Sequence, residues 1–220
     1  MQFATFHDLE DQSVFITGGG SGIGADLTKG FLSQGAKVTF VQRSNPEKFL
    51  AECEGKYKYE PTFIKCDVSH IEELKIALQT TAKEQGAVTV LVNNAANDTR
   101  HTLDEFTSQQ WDQTMEVNLK PHFFAAQEVV EGMKISGGGS IINFSSISYM
   151  MGNEGYPAYA TAKSAITGLT RSLARELGPH SIRVNAIMPG WVLTKRQMKL
   201  WATEEGLSKH LDRQCLKEHL

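Results

Sequence analysis

The stretch "SVFITGGGSGIGADLTKGFLSQG", residues 13–35, contains a strand, a glycine-rich turn and a helix in direct succession. Its first part is rich in β-branched residues and ends in glycine, which is typical of a buried parallel strand. After the turn, the apolar residues Leu27, Phe31 and Leu32 recur at helical spacing before a glycine stop. This unit predicts an α/β fold.

Strand and helix patterns alternate through the rest of the chain. Further strands are predicted at 36–43, 61–67, 88–95, 139–146 and 181–190. Helices are predicted at 70–85, 104–134 and 157–177. Because Pro121 lies inside the second of these, that helix should break near Asn118. Over residues 1–220 the alternation predicts a single domain, a three-layer, doubly wound parallel sheet of Rossmann type.

The composition excludes several classes of protein. With 40% hydrophobic and 21% charged residues, the chain is expected to be globular. The net charge of −3, with the two signs interspersed, indicates no nucleic-acid partner. We also expect no membrane partner, because no apolar run is long enough for a span and the acidic N-terminus does not resemble a signal peptide. Three scattered cysteines and the absence of ligand spacing indicate a cytoplasmic protein without a metal site.

The turn "TGGGSGIG", residues 17–24, follows the pattern T-G-x-x-x-G-x-G, a relative of the dinucleotide fingerprint. Glycines tighten such a turn and let backbone N–H groups approach a pyrophosphate at the helix N-terminus. An ordinary glycine-rich loop is the alternative, but the position between a strand and a helix favours a cofactor site. The cofactor residues predicted here are Gly18, Ser21, Gly22, Ile23 and Gly24.

The ends of the next strands carry further cofactor candidates. Gln42 stands where such enzymes often have an acid for the ribose hydroxyls, and Arg43 follows it. An uncharged residue beside an arginine would tolerate or attract the extra phosphate of NADP, so we expect NAD(P) with NADP slightly favoured. Alternatively, Arg43 is only a solvated surface residue. Asp67 could accept a hydrogen bond from adenine, and Asn93 is expected to contact the cofactor.

The segment "GYPAYATAK", residues 155–163, places Tyr159 and Lys163 one helical turn apart on the same face. Ser146 ends the preceding strand at the same edge of the sheet. Serines at such positions often only cap helices, but together with the glycine turn the three residues indicate an acid–base site. The isolated residues His101, His122 and His180 are expected to be structural or solvent-facing.

At this point the motifs resemble those of the short-chain dehydrogenase/reductases. "TGGGSGIG", "NNAA", Ser146, "YATAK" and "PGWVLT" occur in the order typical of that family. The resemblance implies a catalytic set of Asn118, Ser146, Tyr159 and Lys163. It extends the cofactor contacts to Val68, Asn94, Ala95, Tyr159, Lys163, Pro189, Gly190, Val192 and Thr194.

The resemblance also implies the role of each catalytic residue. Tyr159 is the base, and its pKa should be depressed by Lys163 and by the positive nicotinamide. Lys163 would also hold the nicotinamide ribose. Ser146 binds the substrate oxygen, and Asn118 holds a water that links Lys163 to solvent.

Three segments, "NNAANDTRHTLDEFT", "VNLKPHFFAAQ" and "PGWVLTKRQMK", are most like those of bacterial sugar 1-dehydrogenases of the D-xylose type. That similarity implies oxidation of an aldose at C1 to a lactone. The substrate contacts it suggests are Asn97, Arg100, Asn153 and Tyr156. The alternatives are a ketoreductase acting on 3-oxoacyl or other small carbonyl substrates, and a cofactor-binding chain with little activity.

The resemblance further implies a homo-oligomer, a dimer or tetramer, in the full-length form. The chain ends earlier than members of the family usually do. We therefore expect the sheet to lack the last helix and strand of the family fold.

Overall fold

The computed structural model describes residues 4–220. The strands are β1 Ser13–Thr17, β2 Lys37–Gln42, β3 Thr62–Lys65, β4 Val90–Asn93, β5 Gly139–Phe144 and β6 Ile182–Ile187. The α-helices are α1 Gly22–Ser33, α2 Glu47–Cys53, α3 Ile71–Gln85, α4 Ser108–Asn118, α5 Lys120–Ile135, α6 Pro157–Leu177, α7 Lys195–Leu200 and α8 Glu204–Asp212. None of the helices within 4–220 is both long and apolar enough to cross a membrane.

The six strands form one parallel sheet in the order β3-β2-β1-β4-β5-β6. The prediction of a doubly wound parallel sheet is confirmed, and each of these strands lies within a predicted range. The strand order reverses direction between β1 and β4. In such sheets this reversal opens a crevice at the carboxyl ends of the two strands, and ligands bind there.

Two hydrophobic clusters lie on opposite faces of the sheet. Phe15 of β1 belongs to one cluster, while its neighbours Val14 and Ile16 belong to the other. All three side chains are fully buried, and each contributes about 2 kcal/mol by leaving water. Because successive side chains of a strand point to opposite faces, this division shows a sheet covered by helices on both sides.

The predicted helix 104–134 is two helices. The first begins at Ser108, because Thr107 and Gln110 form a capping box: the Gln110 N–H donates to the Thr107 hydroxyl at 3.2 Å, and the Thr107 N–H donates to Gln110 Oε1 at 2.8 Å. It ends at Asn118, where the break was predicted. Pro121 lies in the first turn of α5, where its missing N–H has no intrahelical partner to lose.

Helices α2, α7 and α8 were not predicted. They are seven, six and nine residues long, which is too short to show a clear helical period. Thr194 caps α7 by accepting from the Gln197 N–H at 3.3 Å, and Thr203 caps α8 by accepting from Gly206 at 3.1 Å. Both helices follow β6 and cross the carboxyl edge of the sheet.

Candidate active site

A cleft of about 1910 Å³ opens at the carboxyl edge of the sheet. The glycine turn, the ends of β2 and β3, the segment after β4, the start of α6 and the segment 189–213 line it. Among the catalytic, cofactor and substrate residues predicted above, Asn118 and Asn93 do not line the cleft. The remaining predicted residues therefore meet in one place, where doubly wound sheets bind their ligands.

The glycine turn is tight enough to form a cradle. Gly18 has a φ of +72°, a conformation that side chains disfavour. A Cβ on Gly24 would overlap the carbonyl oxygen of Gly18. Ser21 precedes α1 without a side-chain cap, so the first N–H groups of this helix are open to an anion. These features fit the pyrophosphate of a dinucleotide.

Asn94 holds the glycine turn from the side of β4. Its Nδ2 donates to the carbonyl oxygens of Thr17 at 3.0 Å and Gly18 at 3.3 Å. In return, the Thr17 hydroxyl accepts from the N–H groups of Asn94 at 2.9 Å and Ala95 at 3.0 Å. The Asn94 amide thus shapes the cofactor cradle through these backbone groups.

The contact with the cofactor expected of Asn93 is wrong. Its side chain is 1% exposed, and its Nδ2 donates to Asn143 Oδ1 at 3.0 Å. The Asn143 amide in turn donates to the Thr170 hydroxyl at 3.0 Å. At the end of β4 the Asn93 amide points into the interior. Its Nδ2 there begins a chain of buried hydrogen bonds to Asn143 and Thr170 instead of contacting a ligand.

The end of β2 has a specific arrangement of polar groups. Gln42 Oε1 accepts from the Gly20 N–H at 3.0 Å, and its Nε2 donates to the Ser44 carbonyl at 2.9 Å. Both ends of the amide are thereby occupied within the protein. Arg43 Nη1 lies 3.7 Å from Asp67 Oδ2, and its side chain is 75% exposed. The guanidinium is therefore a solvent-exposed positive group at this end of the cleft, with Asp67 as its ion-pair partner.

Tyr159, Lys163 and Ser146 come together at the base of the cleft. Lys163 Nζ lies 5.6 Å from the centroid of the Tyr159 ring and donates to the Phe144 carbonyl at 2.7 Å. Ser146 lies beside Tyr159 and lowers the pKa of its hydroxyl, and the Ser146 hydroxyl also accepts from the Ser148 N–H at 3.1 Å. The Ser145 hydroxyl donates to the Lys163 carbonyl at 2.6 Å and so fixes α6 against the end of β5. The predicted acid–base group is assembled by the fold.

The pKa of Tyr159 differs from the expected one. Burial raises the pKa of Tyr159 to about 12, and the Asp98 carboxylate adds to that rise, while the bond from Ser146 opposes it. Burial also lowers the pKa of Lys163 to about 7. The expected depression of the Tyr159 pKa by Lys163 is thus absent from the protein alone, because the buried amine readily loses its own charge.

The burial of Lys163 leads to a prediction about how the free energy of unfolding depends on pH. Between the folded pKa of about 7 and the usual lysine value of 10.5, the unfolded chain binds more protons at residue 163 than the folded one. The contribution of Lys163 to stability therefore rises with pH across that window. Without added nucleotide, Lys163→Met should be more stable than the parent by about 2 kcal/mol near pH 6, and by less near pH 9. Urea unfolding at both pH values measures this, and an equal or lower stability of the variant near pH 6 would contradict it.

Asn118 is fully buried at the end of α4, and its amide is fully used. Its Oδ1 accepts from the Asn97 N–H at 2.8 Å, and its Nδ2 donates to the carbonyls of Asn97 at 3.1 Å and Thr114 at 2.9 Å. These contacts use the side-chain atoms only, so the expectation that Asn118 holds a relay water stays a prediction. The side chain fixes the segment after β4, because the helix break leaves it pointing at that backbone.

The predicted substrate residues form the mouth of the cleft. The Arg100 guanidinium lies 3.8 Å from the centroid of the Tyr156 ring and 5.2 Å from that of Trp201. Asn153 Nδ2 donates to the Tyr156 hydroxyl at 3.2 Å. Aromatic rings and hydrogen-bonding side chains therefore both surround the entrance of the cleft near Tyr159.

Sequence reasoning missed several residues of this mouth. They are Asp98, Trp191, Arg196, Gln197 and Trp201, all of which line the cleft. Four of them belong to the segment around α7. The pattern T-x-x-Q at Thr194–Gln197 is typical of a helix start and could have revealed it.

The three isolated histidines His101, His122 and His180 do not line the cleft. His101 stacks on Phe106 with centroids 3.7 Å apart, and its Nε2 accepts from the Ala158 N–H at 3.3 Å. His122 is 1% exposed, and its ring nitrogens have no hydrogen-bond partner within residues 4–220. Burial, followed by the nearby Lys163, holds the pKa of His122 well below 6.5. In the described part of the chain, no group of three or more acids, histidines or cysteines could hold a metal ion.

Comparison with known proteins gives consistent results. A family model described as short chain dehydrogenase matches residues 12–205. The D-xylose 1-dehydrogenase of Caulobacter vibrioides is 46% identical over 218 residues, which cover 99% of this chain and 86% of that protein. A Rhizobium meliloti protein named "probable galactose dehydrogenase" is 48% identical over 218 residues, with 98% and 85% covered. The solved structure of Thermoplasma acidophilum aldohexose dehydrogenase superposes with a TM-score of 0.80 at 29% identity, with 94% of this chain and 78% of that chain covered.

Proposed function

This chain belongs to the short-chain dehydrogenases, and on that basis we propose that it oxidises the C1 hydroxyl of a cyclic aldose to a lactone. Membership makes it an NAD(P)-dependent oxidoreductase. The choice of an aldose is supported by the two relatives named for sugars, which are 46% and 48% identical over nearly the whole chain. The structural observation that most favours an aldose is the polar and aromatic mouth of the cleft above Tyr159.

The residues of the cleft suit the cofactor and its position. The glycine turn would hold the pyrophosphate, Asp67 the adenine, and Lys163 the nicotinamide ribose. Segment 189–194 crosses above the glycine turn, since a Cβ on Gly22 would lie 3.1 Å from the Thr194 methyl group. When bound, NAD(P) supplies the hydride acceptor and a positive ring.

The protein's own groups carry out the proton transfer. Tyr159 Oη takes the proton of the C1 hydroxyl, while Ser146 Oγ donates to the same oxygen and keeps it in place. Because burial raises the pKa of Tyr159 to about 12, the phenolate needs positive charge beside it. Lys163, one helical turn away, supplies such a charge when protonated. The buried site thus favours proton removal only when its charged partners are present.

The mouth of the cleft supports a sugar rather than an apolar alcohol. Asn97, Arg100 and Asn153 offer hydrogen-bonding groups at its rim. The half-buried ring of Trp201 offers flat apolar surface on which the C–H face of a sugar ring can rest. A hydrophobic substrate would leave these polar groups without partners, at a cost of about 1–3 kcal/mol for each buried one.

One experiment tests the proposal. The purified protein is mixed with a panel of aldoses and with either NAD or NADP, and reduced nicotinamide is followed by absorbance. We expect turnover of at least one aldose and formation of a lactone. Activity confined to the reduction of 3-oxoacyl or other carbonyl substrates would establish the ketoreductase alternative. Cofactor binding without turnover in either direction would favour the cofactor-binding chain.

We further propose that NADP is preferred, because Gln42 carries no negative charge and the Arg43 guanidinium, which is 75% exposed beside Asp67, can reach a 2′-phosphate. Arg43→Ala should weaken NADP binding about tenfold and NAD binding less than about twofold. Calorimetric titration with both cofactors measures this. Lys65→Ala, which removes an exposed charge from the end of β3 outside the cleft, is the control. Equal losses for NAD and NADP would return Arg43 to the role of a solvated surface residue.

We also propose a cytoplasmic homodimer or homotetramer. Trp111 on α4 and Phe123 on α5 are 42% and 45% exposed, and exposed apolar side chains of this size are typical of interfaces. Cys53, Cys66 and Cys215 are free thiols, which suits a reducing compartment. Sedimentation velocity gives the oligomeric state, and a monomer at micromolar concentration would contradict the first part.

A further inference from the structure

Asp98 lies between helix α7 and the acid–base group. Its side chain is 16% exposed, and its Oδ1 lies 2.9 Å from Arg196 Nη1. Its Oδ2 accepts from Gln197 Nε2 at 2.7 Å, a contact that joins residues 99 positions apart in sequence. The two carboxylate oxygens thus contact consecutive residues of α7: Oδ2 through a hydrogen bond and Oδ1 through an ion pair without a hydrogen bond of its own among the described residues.

The neighbouring Asn97 continues the connection toward the interior. Its Oδ1 accepts from Arg196 Nη2 at 3.2 Å, while its backbone is held by the amide of Asn118 on both sides. A continuous set of polar contacts therefore runs from α7 through residues 97–98 to the end of α4. A movement of α7 away from the cleft would break the outer part of this set.

The charge of Asp98 reaches the acid–base group. Asp98, Tyr159 and Lys163 line the same cleft. Burial is the main reason that the pKa of Tyr159 is raised and that of Lys163 is lowered, and the Asp98 carboxylate then raises the pKa of both groups. Tyr159 is also faced by Ser146, Tyr156 and Arg100. Lys163 lies beside the neutral ring of His122. The charged partner that contacts Asp98 itself is Arg196.

We propose that Asp98 is a positioning residue that holds α7 across the cleft through Arg196, and that this ion pair sets the charge that Tyr159 and Lys163 experience. With the pair intact, Arg196 offsets the negative charge of Asp98. With α7 displaced, that charge is uncompensated and opposes formation of the Tyr159 phenolate. Proton removal is thereby coupled to the covered state of the cleft. The kinetic consequence rests on the proposed function, whereas the electrostatic one does not.

The electrostatic part is tested without any substrate. The protein is labelled with carbon-13 lysine, and the ε-carbon signal of Lys163, assigned by its loss in Lys163→Met, is titrated by NMR. Asp98→Asn should lower the Lys163 pKa and Arg196→Gln should raise it, each by about half a unit. The double variant should fall between the two. Lys199→Gln, which removes an exposed charge from the same helix, should leave the titration unchanged.

The decisive result is that Asp98→Asn and Arg196→Gln shift the Lys163 pKa in opposite directions. A role that is only structural would move both single variants the same way or not at all, and either outcome would overturn the proposal. An effect of Lys199→Gln equal to that of Arg196→Gln would also overturn it. If Asp98→Asn does not fold, the two substitutions at Arg196 still test the proposal. Arg196→Lys keeps the positive charge and should retain the parent pKa of Lys163, whereas Arg196→Gln should raise it.

The kinetic part uses the pH profile of kcat/KM for aldose oxidation. The acid limb, which reports deprotonation of Tyr159, should move to lower pH in Asp98→Asn and to higher pH in Arg196→Gln. We also expect the Arg196→Gln change to raise KM by about tenfold through the loss of the contacts of α7. If the parent oxidises no aldose, the proposed function fails, and the NMR titrations alone then support or overturn the ion-pair proposal.

Discussion

Replacing Tyr159 by phenylalanine is expected to reduce turnover by about a thousandfold while changing cofactor affinity by less than about twofold. The change removes the hydroxyl that accepts the substrate proton. It retains the ring, which packs edge-on against Tyr156 with centroids 5.6 Å apart. The fold should therefore survive, since no apolar contact is lost. Steady-state kinetics and a cofactor titration of the same preparation measure the two quantities.

Tyr149→Phe is the matched control for this prediction. The Tyr149 hydroxyl hydrogen-bonds the Thr167 hydroxyl at 3.1 Å and does not line the cleft. Its loss should cost about 1 kcal/mol of stability and leave turnover within about twofold. If Tyr159→Phe kept more than about a tenth of the parent turnover, another group would have to be the base.

Gly24→Ala is expected to destabilise the protein by about 3 kcal/mol or more and to weaken cofactor binding strongly. The added methyl group would overlap the Gly18 carbonyl and would lie 2.8 Å from Asn94 Nδ2. The glycine turn would then have to move away from the start of α1, where the pyrophosphate is expected. Urea unfolding and a cofactor titration measure the two effects.

Gly30→Ala makes the same change on the same helix without a clash. Within residues 4–220, no atom outside the adjoining backbone of α1 lies within 4 Å of a Cβ at Gly30, so the substitution should stabilise the helix by up to about 1 kcal/mol. Cofactor affinity should not change. A similar loss of stability in both variants would contradict this explanation, because helix propensity favours alanine at both positions and the close approach to Gly18 exists only at Gly24.

The sheet and the core of the site could be predicted because both follow from local patterns. Buried parallel strands are continuous apolar runs, so their positions are visible in the sequence. The glycine turn and the pair Tyr159–Lys163 depend on spacings of a few residues, and a parallel sheet brings the ends of its strands to one edge. The helix break at Asn118 followed from one proline.

Other features depend on tertiary contacts that the sequence does not display. The high pKa of Tyr159 arises from burial, which is a property of the packed fold. The ion pair of Asp98 with Arg196 joins parts of the chain that are far apart in sequence. Arg196 also lies on a helix that is too short for hydrophobic periodicity to predict. Asn93 was expected to contact the cofactor because of its position at the end of β4, but its Nδ2 donates to the buried Asn143 instead. The side chain of Asn118 is likewise taken up by neighbouring backbone groups, and neither contact is visible in the sequence.

The reciprocal hydrogen bonds between Thr17 and Asn94 have a consequence for protein engineering. The Thr17 hydroxyl accepts from the backbone after β4, and the Asn94 side chain donates to the backbone after β1. The turns after β1 and β4 therefore form one structural unit. A designer who grafts a new glycine turn from a relative should transfer the segment after β4 with it. Gln42 should be kept with this unit, because its Oε1 accepts from the Gly20 N–H of the glycine turn. Arg43 pairs with Asp67 instead, so it is the residue at the end of β2 to vary when cofactor choice is retuned.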